Sequence, residues 1–401
     1  MKKMKKLTYI GLMCVAWCLG CIVPSSCNND LNNDLTGNDT EVLLSISVSQ
    51  TRTGSQGNAQ TRAEMPSAKD RLPVVKSIWA VFCLNGNVLH SEAQQLDDNH
   101  TAIFKNIPSS VNRVYVIGYP THTQTSPAVT TVYTETELQK QVMIDMQAQN
   151  QTDATLVNTY GVKKVDFSDI EAGKSISENI ELVPAMARME IAKIDPANPP
   201  VGLVKMPIKQ FKLDGIFINN TYTQLALDSL TVPTASGKIL NYGSNIGTGS
   251  VWLNPSSYPA AYADLFDTSN SQPSFAPKEG TYWGYYVAPL SADKGAVGTT
   301  INDDVQSVIP HIVLKLRDIA IESGGQTNVI PGPMYLTVRS FKVAETGEEV
   351  KQLRAGYTYR IGNLAFGMEH LAPEPENNPA EIVATLSVLD WIPNLIEGGV
   401  E

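Results

Sequence analysis

Glu41-Val42-Leu43-Leu44-Ser45-Ile46-Ser47-Val48-Ser49 is the stretch from which the fold can first be read. Val42, Leu44, Ile46 and Val48 recur at every second residue, and Ser45, Ser47 and Ser49 take alternate places. A period of two marks a strand with one buried and one wet face. The segment predicts a β-strand, and much of the chain repeats its grammar.

Upstream, Asn28 to Thr40 is a polar tether rich in Asn and Asp. Before it, Lys2, Lys3, Lys5 and Lys6 lead into Leu7 to Val23, 17 residues without a charge, and then Pro24-Ser25-Ser26-Cys27. A basic start, a short apolar core and small residues before a cut are the parts of an export signal, here residues 1–26. A cysteine directly after small residues looks like a bacterial lipoprotein signal, with Cys27 as the lipid carrier and Cys21, after Leu19-Gly20, as the competing site. Acyl chains would anchor the precursor to a membrane, each buried CH₂ contributing about 0.8 kcal/mol. The plainer reading is a secretory signal with incidental cysteines. Four of the five cysteines (14, 18, 21 and 27) lie in this leader, so no internal disulfide is available to the body. Cys83, within Ile78-Trp79-Ala80-Val81-Phe82-Cys83-Leu84, is expected to be a small buried hydrophobe.

Downstream, Gln50 to Arg71 is polar, with Arg52, Arg62 and Arg71 among Thr, Gly, Gln, Ser and Ala. No element is evident there, and the stretch predicts an exposed loop, where proteolysis concentrates. Strands follow at Val75 to Leu84, from Val88, at Thr101 to Ile107 and at Val111 to Gly118, with Asn85-Gly86-Asn87 as a hairpin signal. Thr134-Glu135-Thr136-Glu137 opens like a helix, and Leu138, Val142 and Met146 at i+4 spacing predict a short helix within 134–149. Further strands are predicted at 176–182, 187–194, 211–219, 222–227, 282–288, 312–316, 334–343, 357–364 and 381–389, the last alternating Ile382, Ala384, Leu386 and Val388. Many short strands with few helices predict a mainly β chain of two tandem β-sandwich domains. The predicted partition is leader 1–26, tether with first strand and loop 27–62, N-terminal domain 63–183 and C-terminal domain 184–401, with the boundary near Leu182-Val183-Pro184.

The length of 401 residues accords with two domains, and 42% hydrophobic residues is well above the disordered range. Loss of residues 1–26 removes four lysines and no acid, leaving 26 basic against 40 acidic residues, a net charge of −14. That balance argues against a nucleic-acid partner. His90, His100, His122, His311 and His370 show no metal-ligand spacing, and Asp97-Asp98 and Asp303-Asp304 are bare pairs. No nucleophile elbow, phosphate loop or dinucleotide fingerprint occurs in context, so neither an enzyme nor a cofactor is indicated. Tyr242, Trp252, Tyr258, Tyr262 and Trp283 could form an aromatic platform for a surface glycan, or could be core and loop packing.

In this order, the residues resemble the fimbrillins, the FimA-like shaft subunits of Bacteroidales fimbriae, also called type V pilins. The resemblance rests on Thr61-Arg62-Ala63 after the first strand, on Arg113-Val114-Tyr115-Val116-Ile117-Gly118, and on Leu182-Val183-Pro184-Ala185-Met186-Ala187-Arg188-Met189-Glu190-Ile191. It rests also on Tyr357-Thr358-Tyr359-Arg360-Ile361 and the closing Ser387-Val388-Leu389-Asp390-Trp391, and so spans essentially the whole chain. It implies an outer-membrane lipoprotein precursor, cut after an arginine by a surface trypsin-like protease. Arg62 is the first candidate and Arg52 the second. It further implies that the strand carrying Val42, Leu44, Ile46 and Val48 leaves with the lipid. A C-terminal strand of the next subunit then fills the vacated groove. Donor candidates are Ile382, Ala384, Leu386, Val388, Trp391, Ile392 and Leu395; alternatively both strands are plain members of their own domains. Implied partners are further copies of the chain, other pilin subunits, and a host or bacterial surface ligand. The competing readings are a tip or accessory pilin with an adhesive role, and a surface glycan-binding lipoprotein.

Overall fold

The computed structural model describes residues 41–48, 64–69, 73–121, 134–146, 156–170, 174–197, 206–227, 237–244, 246–247, 249–266, 270–289 and 309–390. In chain order the N-terminal elements are β1 (Glu41–Val48), β2 (Glu64–Met65), β3 (Ser77–Leu84), β4 (Asn87–Gln95), β5 (Thr101–Pro108) and β6 (Arg113–Tyr119). Then come the helix α1 (Glu135–Gln141), β7 (Met143–Asp145), β8 (Thr159–Lys164), β9 (Ser175–Ile180) and β10 (Val183–Pro184). The C-terminal elements begin with β11 (Ala187–Ile191), β12 (Ile194–Pro196), β13 (Ile208–Asn219), β14 (Thr221–Ala226), β15 (Gly237–Leu240), β16 (Ala263–Leu265) and β17 (Tyr282–Val287). They close with β18 (His311–Ser323), β19 (Gln326–Ile330), β20 (Met334–Val338), β21 (Ser340–Val343), β22 (Tyr357–Ile361), β23 (Leu364–Phe366), β24 (Leu371–Ala372) and β25 (Val383–Asp390).

The first sandwich packs the three-stranded sheet β5-β1-β9 against the five-stranded sheet β10-β8-β6-β3-β4. Ile78, Ala80 and Phe82 of β3 and Val114 and Val116 of β6 share its core with Phe104, Ile107 and Ile180. The alternate residues Trp79, Val81, Cys83, Tyr115 and Ile117 enter a second core with Leu138, Val142 and Ile144. A sheet buried on both faces needs apolar residues at every position, which is why β3 and β6 read as unbroken apolar runs. The β3–β4 hairpin turns on Asn85 (φ 48°) and Gly86 (φ 92°), with Leu84 opposite Asn87. Two successive positive φ values define the two-residue turn that the Asn-Gly pair predicts.

The second sandwich packs β2-β17-β11-β22-β25-β21 against β16-β13-β18-β20-β24, with β19 folded back on β18. Met189, Ile191, Tyr285, Tyr359, Ile361, Ala384 and Leu386 of the first sheet meet Phe217, Ile312, Leu314, Leu316 and Leu336 of the second. The ladders change sheets between Pro184, paired to Thr159, and Ala187, paired to Val287. The two halves share one core. Tyr222, Leu225, Leu227, Tyr286 and Ala288 pack with Trp79 and Tyr115, and β7 pairs with β14.

Two expectations are corrected. The helix predicted within 134–149 ends at Gln141. Its start is as expected: Thr134 accepts from the Glu137 N–H at 3.2 Å while Glu137 accepts from the Thr134 N–H at 3.0 Å, a capping box. Beyond it, Val142, Ile144 and Met146 are all buried at a period of two, and pairing with β14 selects the strand. The stretch 50–71, expected to be exposed loop throughout, contains β2, paired antiparallel to β17, with Met65 and Ala68 buried.

Candidate functional site

β1 is the middle strand of its sheet. It runs antiparallel to β5, with Val42 opposite Ile107, Leu44 opposite Phe104 and Ile46 opposite Ala102. It runs parallel to β9, with Leu44 opposite Ile176 and Val48 opposite Ile180. The residues across from its apolar positions thus belong to the first core: Ala102, Phe104, Ile107 and Ile180 are buried and Ile176 is packed against them. The register shifts between Val42 and Leu44, opposite Asn106, whose φ of 58° accommodates the extra residue of a bulge. Among the described residues β5 and β9 pair with no other strand, so β1 joins them. Strand β1 and β2 are separated by residues 49–63, which carry Arg52 and Arg62.

The far end of that link is held by an ionic cluster that the sequence reading missed. Arg188 and Glu190 on β11 lie on the face opposite Met189 and the second core, and both are fully buried. Glu190 accepts from the Arg188 Nε at 3.0 Å, the Arg360 Nη2 at 2.9 Å, the Ser67 Oγ at 3.1 Å and the Ala68 backbone N–H at 2.9 Å. Arg360 also donates to Ser67 and stacks its guanidinium 4.1 Å from the centre of the Tyr282 ring. The Arg188 guanidinium lies 5.1 Å from the Tyr286 ring and over Gly284, where any Cβ would overlap it. A buried carboxylate is tolerable only when paired and hydrogen-bonded on all sides. Here two arginines and the backbone just after β2 satisfy it. The available signal was Arg188-x-Glu190 inside an otherwise apolar strand, which puts two opposite charges on one face.

The C-terminal candidates divide. Ile382, Ala384 and Leu386 are buried in the second core and Val388 packs against it. Ala384, Leu386 and Val388 lie on β25, just after Ile382; β25 is interior, antiparallel to β22 (Tyr359 opposite Val388) and parallel to β21 (Phe341 opposite Ala384). Cys21, Cys27, Arg52, Arg62, Trp391, Ile392 and Leu395 lie outside the described residues.

Of the two readings of the aromatic residues, the structure bears out core packing. Trp252, Tyr258, Tyr262 and Trp283 are all buried, and Tyr242 packs against them partly buried. Trp252 meets Phe217 and Tyr258 with ring centres 5.6 Å apart in each case, and its indole N–H donates to the Gly243 carbonyl at 2.7 Å. These rings fill the second core and present no stacking face to a sugar. Cys83 is a buried thiol, its pKa pushed up to about 12 chiefly by burial. His311 contacts Glu376 at 2.9 Å, and burial lowers the pKa of His370, against the nearby Glu369 carboxylate. Among the described residues, no cluster of three or more His, Cys, Asp or Glu side chains could hold a metal ion. None of their helices is long and apolar enough to cross a membrane.

The sequence matches no protein-family model and no curated protein. Solved structures do share the architecture. Two are each described as a "putative cell adhesion protein". The one from Bacteroides eggerthii is 15% identical and covers 88% of this chain and 98% of its own, with a TM-score of 0.52. The other, from Parabacteroides distasonis, is 12% identical and covers 88% and 100%, with a TM-score of 0.55. A fimbrilin from Porphyromonas gingivalis aligns at 11% identity over 88% and 98%, with a TM-score of 0.49. The chain thus has the β-sandwich fold of the first two proteins over nearly their full lengths.

Proposed function

We propose that the chain is a structural subunit of a cell-surface fibre of the fimbrillin kind, assembled by strand exchange. One observation carries this reading: among the described residues β1 is the sole ladder partner of both β5 and β9, and a single cut in 49–63 would separate it from the rest of the body. Its departure strips two edges at once, and unpaired edges are templates for another strand. Backbone hydrogen bonds supply the affinity of such a strand, and alternating side chains fix its register. The contact is head-to-tail and does not close, so it builds a filament.

In this reading the precursor travels as an outer-membrane lipoprotein on Cys27. A trypsin-like protease cuts after Arg62, or after Arg52. The donated segment is 391–401, with Trp391, Ile392 and Leu395 as its apolar residues, because Ile382, Ala384, Leu386 and Val388 already serve the chain's own core. The body then comprises an N-terminal sandwich to residue 183 and a C-terminal sandwich from 184. The fold shared with proteins described as cell adhesion proteins supports the same class.

The test is to treat the purified chain from Cys27 onward with trypsin and follow polymer formation by electron microscopy. Fibres formed by the cut chain, and absent when residues 391–401 are deleted, are the expected result. A chain that loses β1 yet never polymerises, even with other pilin subunits present, would overturn the shaft role. Filaments from the truncated chain would place the donor elsewhere.

A further inference from the structure

Strand exchange requires that β1 leave while everything after the cut stays. The linker alone does not ensure this, because further trypsin-type sites follow: Lys69 and Arg71 lie close beyond Arg62. A cut at either would remove β2 as well. The structure gives residues 64–68 a different status from the strand ahead of them. β2 pairs on the open edge of β17, with Met65 opposite Tyr282 and Glu64 opposite Trp283. Ala68 has no exposed surface and Met65 has 2%. The Ala68 N–H and the Ser67 hydroxyl both end on Glu190, and the Ser67 Oγ also accepts from the Lys69 N–H at 3.0 Å. That ties the backbone just after Ser67 to a buried carboxylate, directly at Ala68 and through the Ser67 hydroxyl at Lys69.

We propose that the Glu190 clamp on residues 64–68 sets the downstream limit of proteolytic processing and anchors the new N-terminus of the cut subunit to the C-terminal sheet. The inference rests on the processing reading above. A serine protease hydrolyses a bond only in a segment that lies extended in its cleft, so cutting tracks how often the segment opens. At Arg62 the reaction adds water across the Arg62–Ala63 amide, leaving a carboxylate on Arg62 and an ammonium on Ala63. At Lys69 the same reaction would first have to lift Met65, Ser67 and Ala68 from the sheet. Glu190 is a positioning residue here. Its charge matters because five donor atoms converge on its two oxygens, and an amide in its place would turn an N–H against one of them.

The experiment is limited trypsin digestion of the chain from Cys27 onward, read by N-terminal sequencing and mass, for wild type, Glu190→Gln and Ser67→Ala. Ser67→Ala guards against a Glu190→Gln variant that does not fold, since it alters only the clamped segment. A parallel reading by hydrogen exchange follows the Ala68 amide in the uncut proteins.

The wild type is expected to stop at a fragment beginning at Ala63 or Thr53 with Lys69 intact and the Ala68 amide protected. In the variants cutting after Lys69 should rise roughly tenfold or more, as loss of a hydrogen bond to a charged group raises the open population. Cutting within 49–63 should be unchanged, and Ala68 should exchange faster. Wild-type cutting at Lys69 as fast as at Arg62 would overturn the proposal, as would variants that protect Lys69 and Ala68 as the wild type does. Failure of the processing reading looks different: no cut between residues 49 and 63. Even then, Ala68 protection that falls in the variants supports the clamp, and protection that does not fall overturns it.

Discussion

If β25 belongs to the chain's own core, truncating one of its side chains must weaken the monomer. Leu386→Ala is the sharpest perturbation. Leu386 is 1% exposed, stands opposite Ile361 on β22 and Val343 on β21, and lies in the second core. Removing its isopropyl end leaves a void in the second core, which the paired strands on either side cannot close. Leu→Ala in such a site costs about 2–5 kcal/mol. A domain holds only about 5–15 kcal/mol in total. For a domain of this size each kcal/mol moves the midpoint by about 2–4 °C, so the expected fall in Tm is roughly 5–20 °C.

The assay is a far-UV circular dichroism melt of the uncut chain, alongside Thr385→Ala as a control. Thr385 is the exposed neighbour on the opposite face, and surface substitutions of this kind stay within about 0.5 kcal/mol. Deletion of 391–401 should leave the melt unchanged. If Leu386→Ala melted like the wild type but failed to assemble, β25 would be the donated strand. The assignment of Ile382, Ala384, Leu386 and Val388 to the chain's own core would then fall.

Two further outcomes follow from the packing. Trp252→Ala should destabilise the uncut chain by about 3–5 kcal/mol in urea titration, as for other buried Trp truncations; folded variant that had merely lost saturable sugar binding would restore the glycan reading. His370 gives a pH dependence. Its Nδ1 accepts the Gly367 N–H at 2.9 Å, so a proton there destroys that bond, and burial lowers its pKa below the usual value. The unfolded chain therefore takes the proton first: this contribution is complete above about pH 6.5 and shrinks as pH falls below it. His370→Gln, which keeps an acceptor, should lose less Tm than the wild type between pH 7.5 and 5; identical losses would show that His370 does not titrate as argued.

What the sequence disclosed depended on how each signal was carried. Period-two alternation found β1 and β25, and the Asn85-Gly86 turn placed the first hairpin, because these are local rules. The helix after Thr134 was legible at its cap and illegible at its end: Leu138, Val142 and Met146 satisfy a helical spacing, but Val142, Ile144 and Met146 satisfy a strand spacing equally well. The deciding partner, β14, lies some eighty residues further on. β2 escaped notice for the same reason. Two residues carry no period, and their burial depends on β17 and Glu190. Trp252 and Tyr258 sit in a stretch rich in Ser, Pro and Asn, where the sequence allows either a platform or core packing and the three-dimensional packing decides for the core.

The two strands that the proposed assembly turns on differ in what holds them. β25 has neighbours that themselves belong to a six-stranded sheet, and its residues are central to the largest core, so its loss would dismantle a sandwich. β1 bridges two strands that have no other ladder partner among the described residues, and its link to the body runs through residues that include two arginines. The first core keeps β3 and β6 beneath the vacated slot, and those strands remain paired through β4, β8 and β10. Removal of β1 therefore exposes two backbone edges and one apolar trough while leaving the five-stranded floor intact. A folded body with an unfilled slot is what an incoming strand needs. A one-residue slip would reverse which face of that strand meets Ala102 and Phe104. In the proposed exchange, the side chains lining the trough would select the register and the two edges would supply the binding.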